Sequence, residues 1–230
     1  MRTYKNLTII GTSHIAIQSI REVGNVIMLQ KPNIVALELD TDRFYGLMQK
    51  KKRKLSIKDI RYMGVRGFLF NLIAAWAEKK LGQMVGTSPG DEMKAAVQAA
   101  AEVKAEVALI DRHINITIKS LFRQITWREK FRVVWDIISG LFSKKKRIAF
   151  DLKKVPDNAF IEKMIAQVGK RYPSIYSALI SERNTFMAKH LYNLMANYSS
   201  VIAIVGAGHE EGIIEELKAM HKLGEPANKK

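Results

Sequence analysis

Short apolar runs alternate along this chain with longer segments whose apolar positions recur every three or four residues. Leu7-Thr8-Ile9-Ile10 predicts a buried first strand over 6–13. Residues 15–31 place Ile15, Ile17, Ile20, Val23, Val26 and Ile27 at helical spacing, and the pattern stops at Lys31-Pro32. Residues 34–39 read as a second strand ending in Glu38-Leu39-Asp40, and Thr41 or Asp42 suits the N-cap of a helix bearing Arg43, Phe44 and Leu47. Further helices are expected over 57–81, 91–104, 115–125, 157–170, 173–198 and 210–223, with strands over 107–110 and 201–205. Short β-branched strands alternating with longer helices define an α/β class: a central, largely parallel or mixed sheet flanked by helices. One domain over residues 1–230 is expected, with a polar, frayed tail over 224–230.

Two of these strands end alike. The first breaks into Gly11-Thr12-Ser13-His14, the last into Gly206-Ala207-Gly208-His209. In open α/β sheets ligands bind at the carboxyl ends of the strands, so the two turns reach one site if their strands lie close in the sheet. A histidine at a helix start is disfavoured as imidazolium by the helix dipole, and neutral imidazole is the form that ligates metal. Glu38, at the end of the second strand, supplies an oxygen ligand or a general base. His14, His209 and Glu38 would together suit a divalent ion such as zinc, manganese or cobalt. The same turns also serve as packing turns whose histidines bond backbone, and both readings stay open. Arg112, after the third strand, and Arg183, on the long helix, either clamp a carboxylate or oxyanion at that edge or form ordinary ion pairs. His113, His190 and His221 have no matching context and are assigned to the surface or to helix packing.

Gly206-x-Gly208-x-x-x-Gly212 is a poor dinucleotide fingerprint. Glu210 and Glu211 crowd the phosphates, and no strand follows to bring an acid to a ribose. There is no G-x-S-x-G, H-E-x-x-H or P-loop motif.

Charge refines this picture. The formal net charge is +16, from 38 basic and 22 acidic residues. Residues 50–80 hold ten basic and two acidic residues, and 119–154 hold eleven and three; the rest carries seventeen of each sign and is neutral. Both basic segments therefore read as helical insertions in a neutral core. Each sets a polybasic run beside an aromatic, apolar helix, a pattern that suits an anionic membrane surface or, alternatively, packing in a homo-oligomer. Nucleic acid is disfavoured, because lysine runs carry no base-reading pattern. With no cysteine, no leader pattern and no apolar run of 18 or more residues, the chain is expected in the cytoplasm or at a membrane surface.

Taken together, Gly11–His14, Val35-Ala36-Leu37-Glu38-Leu39-Asp40 with Arg43, Glu92-Met93, Ile110-Asp111-Arg112 with Thr117, Ser181-Glu182-Arg183-Asn184 with Met187, and Val205–His209 with Gly212 resemble the TraB/PrgY family. These are the pheromone-shutdown proteins and their archaeal relatives, related to the Tiki-type metal-dependent proteases with two GxxH motifs and an acid. The resemblance implies a Tiki/TraB-like fold and a hydrolase, most directly a peptidase, with His14, His209 and Glu38 on the metal and Glu38, Arg112 and Arg183 in catalysis. Its alternative is a peptide-binding or membrane-associated scaffold without turnover. Archaeal members usually continue into C-terminal transmembrane helices, so a longer form of this chain is expected to carry them.

Overall fold

Aliphatic runs that can be buried on both sides build the centre of the molecule. The computed structural model describes residues 1–12, 17–49, 90–142 and 158–224, together with positions 61 and 64. Among these, strands β1 (Arg2–Tyr4), β2 (Leu7–Thr12), β3 (Ile34–Leu37), β4 (Glu106–Leu109) and β5 (Val201–Gly206) form a five-stranded sheet in the order β1-β2-β5-β3-β4. β1 runs antiparallel to β2, with Arg2 opposite Ile9. The remaining pairs are parallel, so the sheet is mixed. β1 is invisible in the hydrophobic pattern, because three residues are too few to show an alternation.

The helices are α1 (Ile17–Gln30), α2 (Thr41–Met48), α3 (Asp91–Glu102), α4 (Ile114–Gln124), α5 (Trp127–Phe142), α6 (Asn158–Arg171), α7 (Pro173–Tyr176), α8 (Glu182–Asn197) and α9 (Glu210–Gly224). A π turn over Ser177–Ser181 joins α7 to α8, so the long helix expected from Pro173 is continuous but locally widened. α2 is capped one residue earlier than expected: Asp40 Oδ1 accepts the Arg43 N–H at 2.9 Å. Apart from positions 61 and 64, the helix expected over 57–81 lies outside the described residues, as does the lysine run at 144–147. No helix among the described residues is long and apolar enough to cross a membrane.

The core has two halves. Ile34, Ala36, Val201, Ala203 and Val205 meet Met187, Ala188 and Leu191 of α8 and Ile213, Ile214 and Leu217 of α9. Val35, Leu37, Ile202 and Ile204 meet Val23 and Ile27 of α1 and Met93, Ala96, Ala99 and Ala100 of α3. Alternate residues of one strand thus enter opposite halves, and strands covered on both faces need an unbroken apolar run. Burying each large aliphatic side chain contributes about 1.5–3 kcal/mol.

This layering also locates a crevice. β2 and β5 are neighbours, with Thr12 paired to Gly206. The helix after β2 covers one face of the sheet and the helix after β5 covers the other. Chain connections that part in opposite directions leave an opening at the carboxyl ends of the strands between them. Gly11 and Thr12, the last residues of β2, and the Gly206–His209 turn after β5 lie at that opening.

Candidate functional site

Three carboxyl-end segments and one helix meet at this edge. β3 pairing continues one residue past the strand, since the Glu38 N–H donates to Ile204 O at 3.0 Å. That holds the buried Glu38 side chain over the end of β5, where one of its oxygens accepts the Gly206 N–H and the other accepts from Arg183 Nη2. Beyond β4, Asp111 is buried as well. Its Oδ1 accepts from the Arg112 N–H at 2.8 Å and from Arg183 Nε at 3.2 Å, and its Oδ2 from Arg183 Nη2 at 2.7 Å and Arg43 Nη1 at 3.1 Å.

Arg183, in the first turn of α8, is the hub. Besides the two carboxylates it donates through Nη1 to Leu179 O at 3.2 Å, a carbonyl of the π turn, and to His209 Nε2 at 3.0 Å. Burial acts to lower its pKa, but the Glu38 and Asp111 carboxylates outweigh burial and hold it above the ordinary value. A buried carboxylate without a counter-charge costs several kcal/mol, so the two acids and the guanidinium stand or fall together.

His209 is fixed from both sides. Its N–H donates to Gly206 O at 2.8 Å and its carbonyl accepts from Ile213 N at 3.0 Å, so the turn feeds directly into α9. Nδ1 lies 2.6 Å from Asn184 Oδ1. An amide oxygen can only accept, so Nδ1 carries the proton and Nε2 presents the lone pair. That lone pair faces Arg183 Nη1, and Nε2 stands 3.5 Å from Glu38 Oε1. Two glycines make the arrangement possible. At Gly212 an added Cβ would overlap the Asn184 amide, and at Gly11 it would lie 2.7 Å from Glu210 Oε2 and 3.1 Å from Ala207 Cα.

Arg112 is turned to a neighbouring task. It donates through Nε to Thr117 Oγ1 at 3.0 Å, through Nη1 to Glu182 Oε2 at 2.8 Å and through Nη2 to Ala178 O at 2.8 Å. It therefore bolts the segment after β4 to the π turn that leads into Arg183. Burial raises the Glu182 pKa, but hydrogen bonds from Ser120, Arg112 and Gln124 outweigh it and the net shift is downward. His113 caps α4 by accepting the Asn115 N–H at 3.1 Å, and its Nε2 lies 2.7 Å from Asp42 Oδ2 at the surface.

The edge thus brings together Glu38, Arg183 and His209, with Arg112 joined to them through Asp111. His14 lies outside the described residues. Asp111, Asn184 and Arg43 belong to the cluster although the hydrophobic pattern does not single them out. Asp111 closes β4 just as Glu38 closes β3, and that repetition is the signal by which it is found. Among the described residues no three His, Cys, Asp or Glu side chains gather on one point. The Glu38–His209 pair nevertheless has the spacing of two ligands of one ion, since bonds of about 2.1 Å at a tetrahedral angle separate donor atoms by about 3.4 Å.

A mixed α/β sheet with a charged cluster at the carboxyl ends of its parallel strands defines the class. The model of the TraB/PrgY/gumN family matches residues 2–222, and the chain belongs to that family. An uncharacterized protein of Methanocaldococcus jannaschii, MJ1365, is 36% identical over 219 residues, covering 94% of this chain and 54% of its own length. The human TraB domain-containing protein is 23% identical over 233 residues, covering 89% of this chain and 61% of its own length. The chain therefore spans between half and two thirds of these relatives.

Proposed function

We propose that this chain is a metal-dependent hydrolase acting on peptides. The observation that supports the reading most directly is the 3.5 Å spacing of Glu38 Oε1 and His209 Nε2 at the switch point of the sheet. Glu38 and His209 would hold a divalent ion, with His14 as the third ligand, and the ion would supply Lewis acidity toward a peptide carbonyl. The remaining groups do what positioned side chains do. Asn184 keeps the His209 Nε2 lone pair facing Glu38 and Arg183, and the Gly206 N–H anchors one Glu38 oxygen. Arg183 would reach a developing oxyanion or a substrate carboxylate by giving up one of its bonds to Asp111, Glu38, His209 or Leu179 O. Arg112 is a positioning residue that acts through the π turn and Asp111.

A second reading, a peptide-binding module without turnover, is favoured by one specific contact. Arg183 donates to Glu38, Asp111 and His209 at once, so a permanent cation already sits against the donors a metal would need. The test is metal content after reconstitution with zinc, manganese or cobalt, read beside mass-spectrometric analysis of incubated peptides. The hydrolase reading expects about one ion per chain, lost in His209→Ala and Glu38→Gln while the fold survives, together with new peptide termini. Peptide binding with neither metal nor cleavage selects the second reading.

A further inference from the structure

The surface also carries a helix that is inside out. α5 places Trp127, Phe131, Val134, Trp135 and Ile138 on one face at helical spacing, and each of these side chains is between 43% and 72% exposed. Its polar contacts run the other way. Glu129 is buried and accepts the Ser174 N–H at 2.8 Å. Asp136 accepts from Arg171 Nε at 2.6 Å and from the Tyr172 hydroxyl, and Arg132 Nη1 donates to Arg171 O at 2.6 Å. Both acidic residues of the helix are thus bonded to the body of the protein, and its aromatic face points to solvent. A helix that merely covered a core would be turned by half a revolution.

We propose that this face of α5 docks on an anionic lipid surface. Three observations choose that occupant. Arg128 and Lys130 flank the apolar stripe on either side, and Lys130 Nζ sits over the Trp127 ring, 4.3 Å from its centroid, in a cation–π contact. Both acids of the helix face away, so the rim of the stripe is cationic, within a segment whose surplus is +8. Two tryptophans beside a phenylalanine suit the headgroup boundary, where an apolar ring body and a polar N–H are both accommodated. A second copy of the chain would bring the same cationic rims together, and the basic segment 50–80 would meet the same repulsion.

The test is co-sedimentation of the full chain with vesicles of phosphatidylcholine, alone or mixed with phosphatidylglycerol. Sedimentation is expected with the mixed vesicles, weakened by salt, and not with the neutral ones. Phe131→Ser with Trp135→Ser should lower partitioning about tenfold or more. Arg128→Ser and Lys130→Ser should each lower it about fivefold on the anionic vesicles. An independent reading uses lipids brominated in the acyl chain, whose quenching of tryptophan fluorescence should largely disappear in Trp127→Phe with Trp135→Phe while sedimentation persists. The proposal is overturned by failure to sediment with anionic vesicles, by unaltered binding of the Phe131/Trp135 variant, or by quenching that survives in the phenylalanine variant. A dimer that the Phe131/Trp135 variant dissociates, with no vesicle binding, would assign the face to a second copy.

Discussion

The carboxyl edge of the sheet and α5 break the ordinary rule of burial in opposite senses. At the edge, Glu38, Asp111, Arg112 and His209 are buried, and each is matched by a partner reaching in from another element. On α5 the large apolar side chains are exposed, and the helix is held by the acids on its other face. Buried charge is expensive enough that it persists where a network closes around it. Exposed hydrophobicity of this extent on a monomer marks a surface that something else covers. The first region is closed on itself and the second is open, and that contrast can be tested by removing one group from each.

The largest expected effect is at the hub. Arg183→Met leaves Glu38 and Asp111 buried against each other without their shared cation. A loss of about 3–5 kcal/mol is expected, measured by urea unfolding of the metal-free chain. If the edge can also hold a divalent ion, adding manganese should return part of that stability to Arg183→Met and little to Arg183→Lys. A Met variant as stable as the parent would mean that the network is not closed as described. Gly212→Ala comes next. Its Cβ would displace the Asn184 amide, for which overpacking predicts a cost of about 1–3 kcal/mol. The same displacement frees His209 Nδ1, so a shift of the His209 ring resonances should accompany the loss, and an alanine at Gly46 of α2, where a Cβ has open space, should produce neither.

These two positions also show how much of the site is written in local sequence. The alternation of short strands and helices, the kinship of the two Gly-x-x-His turns and the placing of Glu38 at a strand end all follow from local periodicity. The pairing of β2 with β5 carries that kinship into space. What is not local is not legible. Asn184 becomes an orienting residue only because α8 crosses α9 at Gly212. The π turn is tied to the segment after β4 where Arg112 takes the carbonyl of Ala178, a contact 66 residues distant in sequence. The outward direction of the α5 stripe was equally hidden, since an amphipathic pattern names two faces and does not say which one meets the protein.

The anchor of α5 gives a smaller effect with a pH signature. Thr126 and Glu129 form a capping box: the Glu129 N–H donates to Thr126 Oγ1 at 3.2 Å, and Thr126 N–H donates to Glu129 Oε2 at 3.0 Å. Burial pushes the Glu129 pKa up, but the hydrogen bonds from Ser174 and Thr126 outweigh it and lower the pKa from 4.5 to about 2. A lowered folded-state pKa stabilises the fold when the group is ionised. This contribution is therefore complete above about pH 4.5 and lost as the pH falls toward about 2. Glu129→Ala should cost about 1 kcal/mol at neutral pH. In thermal melts the gap between parent and variant should narrow across that acid window, and a constant gap would detach the shift from folding.

The smallest expected effect is the most diagnostic for the comparison. Removing a Phe and a Trp from a protein core costs several kcal/mol each. Phe131→Ser with Trp135→Ser should change the unfolding free energy in water by no more than about 0.5 kcal/mol, because both rings are already hydrated in the folded chain. Added anionic vesicles should raise the thermal midpoint of the parent and leave that of the double variant unmoved, since a ligand stabilises only the fold it binds. A large loss of stability in plain buffer would show that the stripe is packed against the chain itself. α5 would then be a second closed region, and the asymmetry between the two parts of the molecule would vanish.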